Sequence, residues 1–155
     1  LQHTLTAILV VAKRSYGEYV NLKSVASQMN CADLGKTVIS VCSTLGLSQR
    51  SSPVSAIPRL VQLLGFGYKY VKHVKKHYLS SRRKNGSIGS DTLMALVLLR
   101  FYMANKHKSR VSTKHVTLEY IAMMTHTSKS SLKGYIDGTG GKCTLFNKKI
   151  KSNFI

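Results

Sequence analysis

The stretch "LMALVLLRFYMA", which starts at Leu93, is apolar around its whole circumference if it is helical. It is too short to cross a bilayer, which needs about 20 apolar residues, and Arg100 interrupts it. A helix without a polar face has to be wrapped by other elements. The stretch therefore predicts a buried core helix and, around it, neighbours that each supply one apolar face.

Those neighbours are legible on either side. "PRLVQLLG" has Pro58 in its first turn and Gly65 to close it. In "GYKYVKHVKKHYLSSRRK", Tyr70, Val71, Val74 and Tyr78 share one helical face while Lys69, Lys72 and Lys76 line another. "NGSIGS" reads as a turn, after which Ser90 can cap the apolar helix. In "VTLEYIAMMT", Leu118, Ile121 and Ala122 fall at i, i+3 and i+4. His126, Thr127 and Ser128 then offer turn and N-cap chemistry before a final helix.

Part of this pattern occurs twice. "LTAILVVAKR" at residues 5–14 matches "LMALVLLRFY" at 93–102, an offset of 88. "VNLKSVASQM" matches "VTLEYIAMMT" at an offset of 96, with Leu22, Val25 and Ala26 against Leu118, Ile121 and Ala122. "CADLGKTVIS" matches "SKSSLKGYID" at about 98, with Leu34 and Val38 against Leu132 and Ile136. Asn30 supplies the turn chemistry in the first copy. The offset grows because the basic loop "NKHKSRVSTKH" is longer than "SYGEYV". A recurrence near ninety residues implies a duplicated helical module rather than a solenoid unit. The second copy shows five helices and the first only the last three. Ser52-Pro53 breaks the chain between them.

Charge narrows the choice of partner. The 155 residues hold 24 Lys and Arg against five acids, a formal net charge of +19. Residues 1–50 carry only +3 of this, while residues 51–155 have nineteen basic and three acidic groups, a net of +16. Phosphate backbones are the usual partner of such a surface. A basic membrane helix would keep a continuous apolar face with Trp or Phe, yet the chain has no Trp and spreads its lysines over several segments. Double-stranded nucleic acid is the expected ligand, and no membrane association is expected.

Catalytic and metal chemistry find little support. Gly35-Lys36-Thr37 would need a glycine five residues earlier to form a phosphate-binding loop, and Asn30 stands there. His73 and His77 have zinc-helix spacing but lack the glutamate after the first histidine. Gly65 and Gly67 lack the third glycine of a dinucleotide fingerprint, whose place Tyr70 takes. "GTGGK" at residues 138–142 follows a helix instead of preceding one and reads as a flexible linker. Cys31, Cys42 and Cys143 form no CxxC pair, which suits a reducing compartment and neither a disulfide framework nor a zinc site. Five scattered acids leave little general-base chemistry. The expectation is a non-enzyme with no cofactor and no metal. The chain begins at Leu1 with no charged segment ahead of an apolar one, so no signal peptide is expected, and it reads as a piece of a longer protein.

The order "SPVSAIPRLVQLLG", basic helix, "SDTLMALVLLRFYMA", "VTLEYIAMMTHTSKSSLKGYI" resembles the second cyclin repeat of the transcription factor IIB family, and "LTAILVVAKRSYGEYVNLKSVASQMNCADLGKTVISV" resembles the last three helices of the first repeat. The resemblance rests on helix order and apolar spacing and points to a divergent eukaryotic, kinetoplastid-like member. It implies tandem cyclin-like five-helix repeats, the first truncated. Residues 1–49 would be the end of repeat 1, 50–137 repeat 2, and 138–155 a basic C-terminal extension. It also implies a nuclear initiation factor that bridges promoter DNA, a TATA-binding-type protein and RNA polymerase II in the preinitiation complex. The alternatives within the fold are a polymerase III or I initiation subunit, an origin-recognition subunit, or a kinase-regulating cyclin, for which the +16 half has no use. The family also offers a role for Gly35, as a helix-packing glycine with Lys36 pointing outward.

Residues 116–137 form the candidate DNA-reading helix-turn-helix. Its last helix would present Lys129, Ser130 and Lys133, with Leu132 and Ile136 packed inward. The resemblance implies that Ser130 and Lys133 face the major groove. Lys69, Lys72 and Lys76 should meet phosphate only. The clusters Arg82, Arg83, Lys84 and Lys106, Lys108, Arg110 would extend the same basic surface.

Overall fold

Every regular element among the described residues of the computed structural model is helical, and the described residues are 1–16, 18, 20–47, 53–110, 112 and 114–146. The order is α1 (Gln2–Ser15), α2 (Leu22–Gln28), α3 (Leu34–Leu45), α4 (Ile57–Leu63), α5 (Val71–Lys84), α6 (Ser90–Asn105), α7 (Leu118–Met124) and α8 (Lys129–Asp137). Short 3-10 turns lie at Pro53–Ala56, Tyr68–Tyr70 and Lys106–Lys108. The all-α expectation is met. The chain forms two compact units, Leu1–Ala56 and Ile57 onward, with three and five α-helices among their described residues. Ser52, the expected boundary at residue 50 and residues 147–155 of the expected basic extension lie outside the described residues.

In the second unit α6 is the central element. Leu93 through Leu99, with Phe101 and Tyr102, are buried on all sides of the helix. The helix packs on α5, α7 and α8, and α4 packs on α5. Phe66, in the turn after α4, meets Phe101 edge-on with ring centroids 4.9 Å apart, and Tyr70 meets the same ring at 5.7 Å. The N-cap of α6 is Gly89, with Ser90 as its first residue and no side-chain cap, so Ser90 is not the cap expected of it. In α5, Val74 and Tyr78 are buried and Lys72 and Lys76 exposed, as the amphipathic pattern predicts. Lys69 differs: it lies in the Tyr68–Tyr70 turn, ahead of the helix whose face it was expected to join.

The first unit packs α1 on α3 around Ala7, Val10, Val11, Cys31, Leu34, Val38 and Cys42. Val25 and Ala26 of α2 lie against that cluster. The two units share one construction in detail. Helices α2 and α7 are both seven residues long, and a side chain caps each: Asn21 Oδ1 accepts from the Ser24 amide, and Thr117 Oγ1 from the Tyr120 amide. Each then ends in a left-handed turn at a non-glycine residue, Asn30 (φ +52°) and His126 (φ +55°). The next amides close both turns on matching carbonyls, Cys31 to Ala26 and Thr127 to Ala122. Left-handed backbone is uncommon outside glycine. Its recurrence at the offset of 96 carries the apolar match down to the backbone.

Two expectations about glycine are corrected. A Cβ on Gly35 would meet nothing within 4 Å, so no close approach explains that glycine; Lys36 does point outward, 3.1 Å from Asp33. The tight contact is in α8, where a Cβ on Gly134 would stand 3.2 Å from the Gly140 Cα. Residues 138–142 are accordingly no flexible linker. Gly138 ends α8 in the left-handed region (φ +79°), and the Gly140 amide donates to the Gly134 carbonyl. The segment runs on to Thr144, whose hydroxyl and amide pair with both amide-group atoms of buried Asn85 at 2.9 and 3.1 Å. Arg100 donates to the Leu145 carbonyl, and Leu145 and Phe146 are buried.

Candidate nucleic-acid interface

The helix-turn-helix is built from its two caps. Ser128 starts α8, its hydroxyl accepting from the Ser131 amide at 3.1 Å and lying 2.7 Å from the Ser131 hydroxyl. Unsatisfied amides at a helix start are costly to leave open, and such a cap contributes about 1 kcal/mol. Leu132 and Ile136 are buried and anchor the helix, which turns Lys129, Ser130 and Lys133 to the surface. In the turn below, the hydroxyl of buried Thr125 donates to the Ile121 carbonyl, and the Thr127 hydroxyl lies 3.3 Å from that of Thr92 on α6. The exposed N-terminal half of α8 therefore rests on a fixed base.

The three nominated side chains are not equivalent. Lys129 forms an ion pair with Glu119 across the turn. Hydrogen bonding from Lys129, more than any other contact, holds the Glu119 carboxyl below its ordinary value. An exposed pair of this kind is weak in net stability, but it occupies the ammonium that sequence reasoning assigned to DNA. Ser130 lies 3.2 Å from the Ser128 hydroxyl. Lys133 has no carboxylate partner among the described residues and is the open cation of the helix.

The other basic residues divide in the same way. Lys72, Lys76, Arg83 and Lys84 of α5 are exposed. Lys75 is exposed as well and went unrecognised, although its place three residues after Lys72 is the signal for it. Arg82 donates to the Ile88 carbonyl at 3.1 Å, holding the turn that leads into α6. Lys69 stands 5.2 Å over the Tyr70 ring. Lys106 and Lys108 are exposed on their 3-10 turn. Arg110 is tied down: its amide donates to the Gly65 carbonyl at 2.9 Å, and its guanidinium would sit 3.6 Å from a Cβ on Gly67. The long basic loop is thus fastened to the end of α4, with Ser109 also donating to the Leu64 carbonyl.

His77 is held below its ordinary pKa by burial first, then by electrostatic interaction with Arg100 and with His73. At neutral pH it is a neutral imidazole. The described residues hold no group of three or more His, Cys, Asp and Glu side chains suited to a metal, and no described helix is long and apolar enough to cross a membrane. Cys143 is half-buried, and burial pushes its thiol up, away from the reactive thiolate.

Comparison with protein-family models, with curated proteins and with solved structures returns no match to this chain.

Proposed function

We propose that this chain is a non-catalytic, DNA-binding helical core of the transcription factor IIB kind, placed between promoter DNA and the initiation machinery. The observation that carries the reading is the charge: nineteen basic residues against three acids beyond residue 50, on a unit whose exposed α5 lysines and Lys133 have no carboxylate partner among the described residues. A surface of that kind is neutralised by a polyanion, and phosphate contacts supply most of the affinity. The helix order that resembles tandem cyclin repeats, together with the paired α2 and α7 turns, supports the family reading. A TATA-binding-type protein and RNA polymerase II are the partners it proposes, in the nucleus. Another cyclin-repeat initiation or origin subunit is the second reading, favoured by the loop at residues 105–115, which is longer than its counterpart in the first unit.

In this proposal Lys72, Lys75, Lys76, Arg83 and Lys84 meet phosphate, and Lys133 meets base edges from α8. Lysine lacks the fork with which arginine grips guanine, so its discrimination is at the low end for a base contact. Lys133→Ala should cost about 1 kcal/mol more on a cognate promoter selected from genomic fragments than on random duplex. Equal losses on both would leave α8 following the backbone only, with specificity assigned to partner proteins.

A further inference from the structure

Two segments from distant parts of the chain meet beside the start of α5. The Ser109 hydroxyl donates to the Leu64 carbonyl, and the Arg110 amide donates to the Gly65 carbonyl at 2.9 Å. These bonds hold the loop after the Lys106–Lys108 turn beside the Tyr68–Tyr70 turn, with the Arg110 guanidinium 3.6 Å from where a Cβ on Gly67 would stand. The Tyr68–Tyr70 turn is anchored on both flanks. Phe66 is buried, and Tyr70 packs edge-on against Phe66 and Phe101 with centroids 5.3 and 5.7 Å apart. Between these anchors Tyr68 is 80% exposed and pairs with no ring among the described residues. Lys69, Lys106, Lys108 and Arg110 are exposed on the same two segments, and none pairs with a carboxylate among the described residues. Neither 66–70 nor 105–110 contains an acid.

We propose that Tyr68 is a stacking platform for an unpaired base of single-stranded DNA, whose neighbouring phosphates are held by Lys69, Lys106, Lys108 and Arg110. A projecting ring on a fixed base, set among cations, is what a single strand needs: a flat π-face for a base and charge for the backbone. Every base has such a face, so the contact is tolerant of sequence, but a base stacked inside a duplex cannot offer it. An acidic peptide would satisfy the cations alone. The turn runs without a break into α5, whose exposed Lys72, Lys75 and Lys76 continue the basic surface. One DNA can therefore lie paired along α5 and unpaired at Tyr68. This site rests on the DNA reading for its choice of polyanion and adds the state of the strand.

The test measures fluorescence anisotropy of the full chain with labelled oligothymidylate of about 12 nucleotides and, separately, with a blunt duplex of the same length. Tyr68→Ala should weaken single-strand binding about fivefold or more, the low end for one stacked base, and duplex binding less than about twofold. Tyr68→Phe, which keeps the ring, should stay within about twofold of wild type on both. Lys106→Ala and Lys108→Ala should each make the single-strand salt slope shallower by about 0.7. Helical circular dichroism should be unchanged in all four, since the replaced side chains are exposed. Single-strand binding that is absent, or indifferent to Tyr68→Ala, overturns the site even where the duplex is bound. Equal losses on strand and duplex, a Phe variant as weak as the Ala variant, or a slope that neither lysine moves overturn it too. Displacement of the strand by polyglutamate at equal charge concentration would assign the surface to an acidic protein segment instead. Failure of the duplex alone to bind bears on the DNA reading, and loss of the Tyr68 effect bears on this site.

Discussion

Helices α1 and α6 match in apolar sequence at an offset of 88, yet α1 is half open and α6 is enclosed from Leu93 to Leu99. The difference lies in what surrounds them, since both are rich in Leu, Val and Ala. An apolar helix surface stabilises a fold only where a second surface removes it from water. Along α6 the removal is complete from Leu93 to Leu99, with α5 on one side and α7 and α8 on others. In α1 it is limited to the side carrying Thr6, Ala7, Val10 and Val11. Basic charge divides along the same line, with +16 beyond residue 50 and +3 before it. One unit is a finished core that carries charge on its surface; the other keeps an apolar face open.

The largest test of this contrast is a matched pair of truncations. Leu96→Ala empties a fully buried site on α6 and should cost about 2–5 kcal/mol in denaturant unfolding. Ile8→Ala, its counterpart on the open face of α1, should cost less than about 1 kcal/mol. Similar costs would mean that the α1 face is covered in solution. Glycines give the next contrast. Gly134→Ala forces a Cβ against the Gly140 backbone and should destabilise by about 1–3 kcal/mol. Gly35→Ala has open space on α3 and should be neutral or stabilise by up to about 1 kcal/mol. A penalty at Gly35 equal to that at Gly134 would restore the close-packing role the family suggested.

The smallest effect should be a pH dependence that His77 of the second unit carries. His77 has a depressed pKa in the folded state, so the unfolded chain takes up its proton first as pH falls. The folded unit keeps its full stability above the ordinary histidine value of about 6.5 and loses some of it as pH drops below that value toward the lower folded pKa. Melting curves between about pH 7.5 and 5.5 should show a decline that His77→Gln reduces. A decline of the same size in that variant would assign the proton elsewhere.

What the sequence revealed was whatever depends on near neighbours along the chain. The run from Leu93 announces a wrapped helix because it has no polar face, and the spacing of Leu118, Ile121 and Ala122 sets the inward side of α7. The capping role of Ser128 was readable because the cap reaches only three residues ahead. Contacts made over long separations were not readable. Asn85 and Thr144 are 59 residues apart, and only their pairing reveals that the glycines at 138, 140 and 141 turn the chain back onto α8. Without that contact a glycine cluster has the composition of a linker. Within the candidate site the same limit applies to two side chains. Lys129 and Arg82 looked like open cations, and partners ten and six residues away occupy them. Ser90 lost the cap of α6 to Gly89 by a shift of one residue.

The central claim is that the second unit is the polyanion-binding half, and the salt dependence of duplex DNA binding tests it most directly. The logarithm of the affinity should fall steeply with the logarithm of salt, by about 0.9 per neutralised phosphate and several units in all. Lys72→Ala and Lys76→Ala should each make that slope shallower by about one unit, on any sequence. Lys23→Ala and Lys36→Ala, in the first unit, should leave it unchanged. Affinity that ignores salt, or equal changes in slope from the two pairs of lysines, would contradict the account.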